Sequence, residues 1–392
     1  MKRAGRDAAS GSRRWFLSLI PATCVVDASL AAAGFAQVLG KGQVFPSAVK
    51  RYADPLTDFP ISLLTDPAHT SYLPAWYNRG ISRRTSFVLY SSDMTGRFEA
   101  FRLDLKTGES RQLMDAGDLD PFSLSLTGND RSFFCIDAGR LIETNLVSLR
   151  PREVYRIASG FEINGAPSFS DDGQYAAMIE KNGLKYRLQL IRTGAGTAAG
   201  SATTLVESDD EIREPVIRPR RGAVLYRRSN GVWLVNFDAR QNYQLKLAEG
   251  ETGQALWNPD GRSVFYLNHP ADTRKLYNLR EFTPDSKEEK KIADTTQFAV
   301  CASNADASVF VGSSGGKATP HVLLLIRSVK RELTLAEHRS SAPRLVAPVF
   351  SPNSQGVFFS SDRHGKPAIY GMAVDKLVEE TESGELSADR YN

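Results

Sequence analysis

Whatever chemistry this chain performs has to come from a small set of side chains. Its five histidines, His69, His269, His321, His338 and His364, stand far apart, and no His-x-His, His-x₃-His or His-Glu-x-x-His spacing lets one element hold a metal. Ser/His/Asp catalysis lacks the Gly-x-Ser-x-Gly turn that presents a nucleophile. The run Gly312-Ser313-Ser314-Gly315-Gly316-Lys317 has the glycines of a phosphate loop, but no Ser/Thr follows the lysine and no helical pattern follows the run, so it reads as a hairpin loop. What does group is positive charge: Arg213, Arg227-Arg228, Arg344 and Arg363-His364-Gly365-Lys366. A guanidinium recognises carboxylate or phosphate through two parallel donors, whereas any one of these arginines taken alone reads equally as a solvated loop charge.

The global charge does not do this work. Of the 392 residues 24% are charged, with a formal net charge of +4, and residues 1–36 hold five of the basic residues against Asp7 and Asp27. The remainder carries 44 basic and 43 acidic residues, which leaves no field to attract nucleic acid or an anionic membrane. The N-terminal excess belongs to an export signal. Ser12-Arg13-Arg14-Trp15-Phe16-Leu17 is a twin-arginine signature, followed by an apolar, small-residue stretch to Ala36 that Asp27 makes a poor membrane span. Residues 1–36 are expected to be the signal and 37–58 a linker, and the product periplasmic or secreted, with no stable membrane span after signal removal. Cys135 and Cys301 both sit in apolar strand-like contexts and are expected as buried free thiols.

The elements that must position the charged residues form a repeat. Pro167-Ser168-Phe169-Ser170-Asp171-Asp172-Gly173, Ala255-Leu256-Trp257-Asn258-Pro259-Asp260-Gly261 and Pro348-Val349-Phe350-Ser351-Pro352-Asn353-Ser354 are copies of one unit, an apolar residue, a tight turn and a short β-run. Weaker copies centre on Leu126, Ile217 and Cys301, and a seventh on Tyr77, at intervals of 40 to 49 residues. Four short strands per unit, no helical periodicity and seven units predict an all-β fold, a seven-bladed β-propeller over residues 59–376. Ile61-Ser62-Leu63-Leu64-Thr65-Asp66 reads as the outer strand of a blade but precedes the first unit, so the ring is expected to be closed by an N-terminal strand completing the last blade. Residues 377–392 are expected to be an acidic, disordered tail.

In a propeller, the loops entering each innermost strand and the hairpins between second and third strands crowd one face, the default ligand site. The first class supplies His69, Tyr72, Arg213, Gln254 and Arg344; the second supplies Arg228, Arg363 and His364, with His269 nearby. These residues, His269 apart, are the candidate substrate-binding set. Trp76 and Tyr77 offer either a sugar-stacking platform or core packing.

The repeated units are similar to those of TolB-type periplasmic propellers. Three stretches carry a narrower resemblance: Ile61–Asp66 with His69, Tyr72, Trp76 and Tyr77; Ala100-Phe101-Arg102-Leu103-Asp104-Leu105-Lys106-Thr107-Gly108-Glu109; and Val357-Phe358-Phe359-Ser360-Ser361-Asp362-Arg363-His364-Gly365-Lys366-Pro367-Ala368-Ile369-Tyr370. In order and blade position they resemble the oligogalacturonide lyase family, seven-bladed propellers that cleave pectin fragments. The resemblance implies β-elimination, in which a base removes the proton α to a uronate carboxylate while a histidine-bound divalent metal, typically manganese, neutralises that carboxylate.

The chain departs from that family where its chemistry resides. Leu345-Val346-Ala347-Pro348 stands where the family has a His-Pro-His-Pro run of ligands, Gln254 where it has a further ligand histidine, and Arg227 where it has its basic histidine. The resemblance therefore implies a lyase-like scaffold without metal ligands or a cofactor, binding an anionic oligosaccharide. Arg227 would be the catalytic residue of any metal-free elimination, although a deprotonated arginine is costly. The alternative is a non-catalytic, TolB-like propeller whose partner is an envelope protein.

Overall fold

The computed structural model describes residues 40–377 except 197–198, 273, 296, 317 and 376, so the export segment and the tail beyond Leu377 lie outside the described residues. Seven turns set its period. The fourth residue of each has a positive φ: Thr85, Asp130, Gly173, Arg220, Gly261, Ala307 and Ser354, separated by 41 to 47 residues. In six of the seven the amide of that residue closes the turn onto the residue three before it, as Gly261 N does onto Asn258 O at 2.7 Å. Gly261 is also where a side chain would not fit, since a Cβ would stand 2.1 Å from the Pro219 carbonyl of the neighbouring blade.

Each turn joins the two innermost strands of a blade, and the described residues form seven antiparallel sheets of four or five strands. Blade 1 contains Phe87–Ser92, blade 2 Ser132–Asp137, blade 3 Tyr175–Asn182, blade 4 Ala223–Arg228, blade 5 Val264–His269, blade 6 Val309–Ser314 and blade 7 Gly356–Ser361. The alternation along these strands buries side chains on both faces, and the buried residues fall into seven clusters, one between each pair of adjacent blades. The cluster joining the last blade to the first packs Leu64, Phe358 and Ile369 against Val88, Tyr90 and Phe101. Closure is made by Pro60–Leu63, which pairs with Ala368–Ala373 in the register Ser62↔Gly371 and Leu63↔Tyr370. The ring is thus seven-bladed and closed by an N-terminal strand. Cys135 and Cys301 are buried free thiols, and burial raises both, Cys301 to about 12.

Two features were not foreseen. Within 37–58, Val44–Phe45 and Lys50–Ala53 are strands that extend the outer edges of blades 1 and 7. Blade 1 also has its repeat anchor at Ile81, bridged to Val88, rather than at Tyr77. Between Ser71–Tyr72 and Ile81 the chain makes an excursion across the axis. Its Ala75 amide bonds Phe122 O at 3.0 Å, Tyr77 Oη donates to Ala166 O at 2.8 Å, and Asn78 Nδ2 donates to Pro167 O at 2.9 Å. Trp76 packs against the cores between blades 4 and 5 and between blades 5 and 6. Trp76 and Tyr77, edge to face at 5.0 Å, therefore plug the channel.

The Lys50–Ala53 strand is tied down by a buried carboxylate. Asp54, fully buried, accepts the Leu56 amide at 3.0 Å and the Glu337 amide at 3.2 Å, and faces Arg363 Nη1 at 3.5 Å. Replacing Asp54→Ala leaves Arg363 buried without its counter-charge, and should lower the unfolding free energy by ~3–5 kcal/mol. Urea denaturation measures this; a loss below about 1 kcal/mol would show that the pair does not fasten the strand.

Candidate functional site

The innermost strands of blades 4, 5 and 6 do not run straight to the face where the inter-blade loops gather. Each shifts register there: between Arg213 and Val216, between Thr252 and Ala255, and between Phe298 and Val300. Such bulges re-aim side chains and free carbonyls from the ladder. In blade 4 the bulge holds Glu214 at φ 50, a left-handed conformation that a non-glycine residue adopts only when its surroundings enforce it. In blade 5 it frees the carbonyls of Thr252 and Gly253.

Arg227 of blade 4 fills that gap. Its Nη2 donates to Thr252 O at 2.7 Å, its Nη1 donates to Gly253 O, and its Nε faces the Glu214 carboxylate at 3.6 Å. Burial lowers its pKa and Glu214 opposes that shift; the group stays protonated, as guanidinium does in proteins. A side chain so committed positions the bulge and has no lone pair to act as a base. On the other side of Gly253 lies His269, so close that a Cβ at Gly253 would stand 3.4 Å from its Nε2. The imidazole stacks on Tyr277 with centroids 4.0 Å apart, and its Nε2 is buried with no partner among the described residues. Burial lowers its pKa, Arg344 lowers it further and Glu251 opposes both, so the ring is neutral at pH 7. Arg344 also lowers the pKa of Arg227, as does Arg213. Arg213, Arg227, His269 and Arg344 thus share one side of the mouth.

Gln254 emerges from the same bulge. Its Oε1 accepts the Cys301 amide at 2.6 Å, while its Nε2 is buried without a partner, as is Oε1 of Gln297 at the head of blade 6. The opposite side of the mouth is acidic. Asp120 and Glu99 are pushed up mainly by burial, and the Tyr77 hydroxyl lies within the fields of both Glu214 and Asp120. Tyr72 lies there too, 4.8 Å from the Phe122 ring and 5.9 Å from Phe98, with His69 nearby, 3.8 Å from Asp93.

The remaining expected residues are engaged elsewhere. Arg228 turns outward, with Nη2 on Ser208 Oγ at 2.6 Å and the guanidinium 5.0 Å from the Trp233 ring. Arg363 is buried at the outer edge between Asp54, the Glu337 carbonyl and the Tyr52 ring. His364 bonds Tyr370 Oη at 3.0 Å and meets Tyr52 edge to face. Glu251 and Tyr277, which set the environment of His269, were missed. No local signal marked them, because the pairing of Glu251 with His269 depends on the register shift between Thr252 and Ala255.

The manganese ion that the resemblance implies would have to find its ligands at these positions. The amide oxygen of Gln254 is occupied by the Cys301 amide. Val346 is fully buried in the core between blades 6 and 7, Ala347 ends a one-turn helix at φ 36, and Leu345 offers only hydrocarbon. No group of three His, Cys, Asp or Glu side chains able to hold a metal occurs among the described residues. These donors do not fit the ion.

No family model matches the chain. Among curated proteins it is 23% identical to an oligogalacturonide lyase of Pectobacterium atrosepticum and 22% identical to an oligogalacturonate lyase of Dickeya dadantii, each match spanning 87% of this chain and the whole of the relative. Among solved structures it superposes on an oligogalacturonate lyase in complex with manganese with a TM-score of 0.80, at 20% identity over 86% of this chain and 98% of that one. The lyase of Vibrio parahaemolyticus gives 0.79, at 21% identity over 85% and 98%. The fold is that of an oligogalacturonide-lyase-like propeller.

His338, at the loop that leads to Arg344, is fully buried. Its Nδ1 accepts the Ser340 amide at 3.0 Å and its Nε2 bonds Ser314 O at 3.2 Å, an arrangement that needs the neutral ring. Burial, with the Arg363 and His321 charges, depresses its pKa from 6.5 to about 4. The unfolded chain then takes up this proton first, so stability is whole above pH 6.5 and falls by about 3 kcal/mol as the pH drops to 4. Replacement His338→Gln should flatten the stability profile across that window in urea titrations; an unchanged slope would assign the acid sensitivity to other groups.

Proposed function

We propose that this chain binds short anionic galacturonides in the mouth of its propeller, as an exported, lyase-like protein. The observation that carries this reading is the convergence of Arg213, Arg344 and neutral His269 around a bulge fixed by Arg227, beside the unpartnered Gln254 Nε2 and Gln297 Oε1. Exposed guanidinium groups meet uronate carboxylates in two-point geometry. The amides and imidazole suit the sugar hydroxyls, and Tyr72 with Phe98 and Phe122 offers aromatic surface for a pyranose ring. That the curated relatives are named as oligogalacturonide lyases supports the choice of substrate class.

One observation favours turnover as well. His269 is neutral and stands within the field of Arg344, so a ring nitrogen keeps a lone pair next to a cation. Elimination would move the proton from the carbon α to the carboxylate onto Nδ1, the ring nitrogen that is not buried. The C–O bond to the leaving sugar breaks as the carbon–carbon double bond forms, and the departing oxygen takes its proton from water. An envelope-protein partner has less support, because the large exposed apolar residues, such as Val147, Leu184, Tyr243 and Val329, are distributed over different blades. Export rests on Arg13 and Arg14.

A single experiment tests recognition and turnover together. Digalacturonate should raise the melting temperature of the full chain, by an amount set by about 2.7 kcal/mol at a hundredfold excess over Kd, while a neutral galactose disaccharide should not. In the same mixture, ultraviolet absorbance of an unsaturated uronate should grow slowly, and His269→Ala should abolish that growth while reducing the melting shift only in part. No shift with either sugar overturns the recognition reading, and undiminished absorbance in the variant removes the role of His269.

A further inference from the structure

We propose that the cation that meets the uronate carboxylate in this chain is the guanidinium of Arg344, so that binding is independent of any metal ion. The inference rests on the galacturonide reading above and sharpens it. The stretch Leu345-Val346-Ala347-Pro348 has exchanged donors for structure. Val346 is sealed into the core between blades 6 and 7, Pro343 starts the one-turn helix, and Ala347 ends it in the left-handed region. These anchors fix the backbone on either side of Arg344, whose side chain is exposed. The Pro343 carbonyl accepts Ser313 Oγ of blade 6 at 3.4 Å, and the same blade's Cys301 amide bonds Gln254 Oε1 at 2.6 Å, so the turn carrying Arg344 sits on the blade next to the Gly253–Gln254 bulge, where its charge is felt by His269 and Arg227.

Arg344 differs from its neighbours in having nothing to neutralise it. Arg227 is held by two carbonyls and Glu214, Arg213 has Glu211 at 3.6 Å, and Arg228 has Asp210 at 3.8 Å. Among the described residues no carboxylate lies within ion-pair distance of Arg344, whereas Arg213 and Arg227 on the same side of the mouth are both paired. An unpaired guanidinium on a rigid turn, beside buried polar atoms that also lack partners, is suited to a ligand that brings its own carboxylate. The same position in the molecule offers a metal no ligand set. One fixed cation has therefore taken over charge neutralisation, and the ligand is selected by its free carboxylate.

Isothermal titration of the full chain with digalacturonate, in buffer containing EDTA and then in buffer containing manganese, tests this. The expected Kd agrees between the two buffers, and manganese alone gives no binding heat. Arg344→Ala, an exposed position whose loss should leave the melting temperature unchanged, should weaken binding about tenfold or more. Arg344→Lys should recover part of it, and methyl-esterified digalacturonate should bind the unaltered chain as weakly as the acid binds Arg344→Ala. Binding that EDTA abolishes, heat from manganese alone, or an unchanged Kd in Arg344→Ala overturns this inference and leaves the galacturonide reading standing. Absence of binding in both buffers overturns that reading instead.

Discussion

The pairing of Pro60–Leu63 with Ala368–Ala373 is the constraint on which the rest depends. Chain ends more than three hundred residues apart share one sheet, with Leu64 N donating to Ile369 O at 2.8 Å and Ile369 N to Thr65 Oγ1 at 3.0 Å. An open stack of blades would expose two sheet faces and a pair of unpaired edges. Closure covers both, and it also fixes the angular position of every blade, because seven inter-blade cores must fit one turn of the ring. Side chains from blades 4, 5 and the approach to blade 7 meet at the mouth only because that turn is complete. The outer strand Lys50–Ala53 extends the closing blade, which explains why a buried Arg363–Asp54 pair lies there and not at the axis.

Closure leaves a hole, and the chain fills it with itself. The excursion through Trp76 and Tyr77 reaches the approaches to blades 2 and 3 and the cores shared by blades 4, 5 and 6, so it braces the ring from within and gives the channel a floor. The Tyr77 hydroxyl, pushed far up by burial, stays protonated and donates to Ala166 O. Above this floor, the fields of acidic Asp120 and Glu214 come from different sides. The Tyr77 hydroxyl itself adds no charge there.

The repeat, the seven blades and the closing strand were legible in the sequence because each is written in local turn chemistry: Asp-Gly and Pro-Asn-Ser turns followed by apolar runs. Tyr77 reads as a repeat anchor because an aromatic residue near a turn looks the same whether it faces a sheet or an axis. Arg363 and His364 read as a free hairpin, and nothing local in Lys50-Arg51-Tyr52-Ala53 reveals that this segment returns to cover them. The bulges of blades 4 to 6 were equally hidden. A register shift is a relation between two strands, whereas residue type at Thr252 or Glu214 describes only one.

That hidden relation decides what Arg227 can do. A bulge leaves carbonyls without ladder partners, and a buried unpaired carbonyl costs about 1–3 kcal/mol. A guanidinium presents its donors in a planar fork, which suits two successive carbonyls better than an imidazole with one free N–H. Once placed there, the arginine holds the Gly253 backbone against the ring of His269 and is no longer available for ligand or proton. Arg344 is left without a carboxylate within ion-pair distance among the described residues, and His269 keeps an unpartnered Nε2, neither at a position where the resemblance implies a ligand or a base. A single register shift in blade 5 thus decides which polar atoms of the mouth stay unpaired.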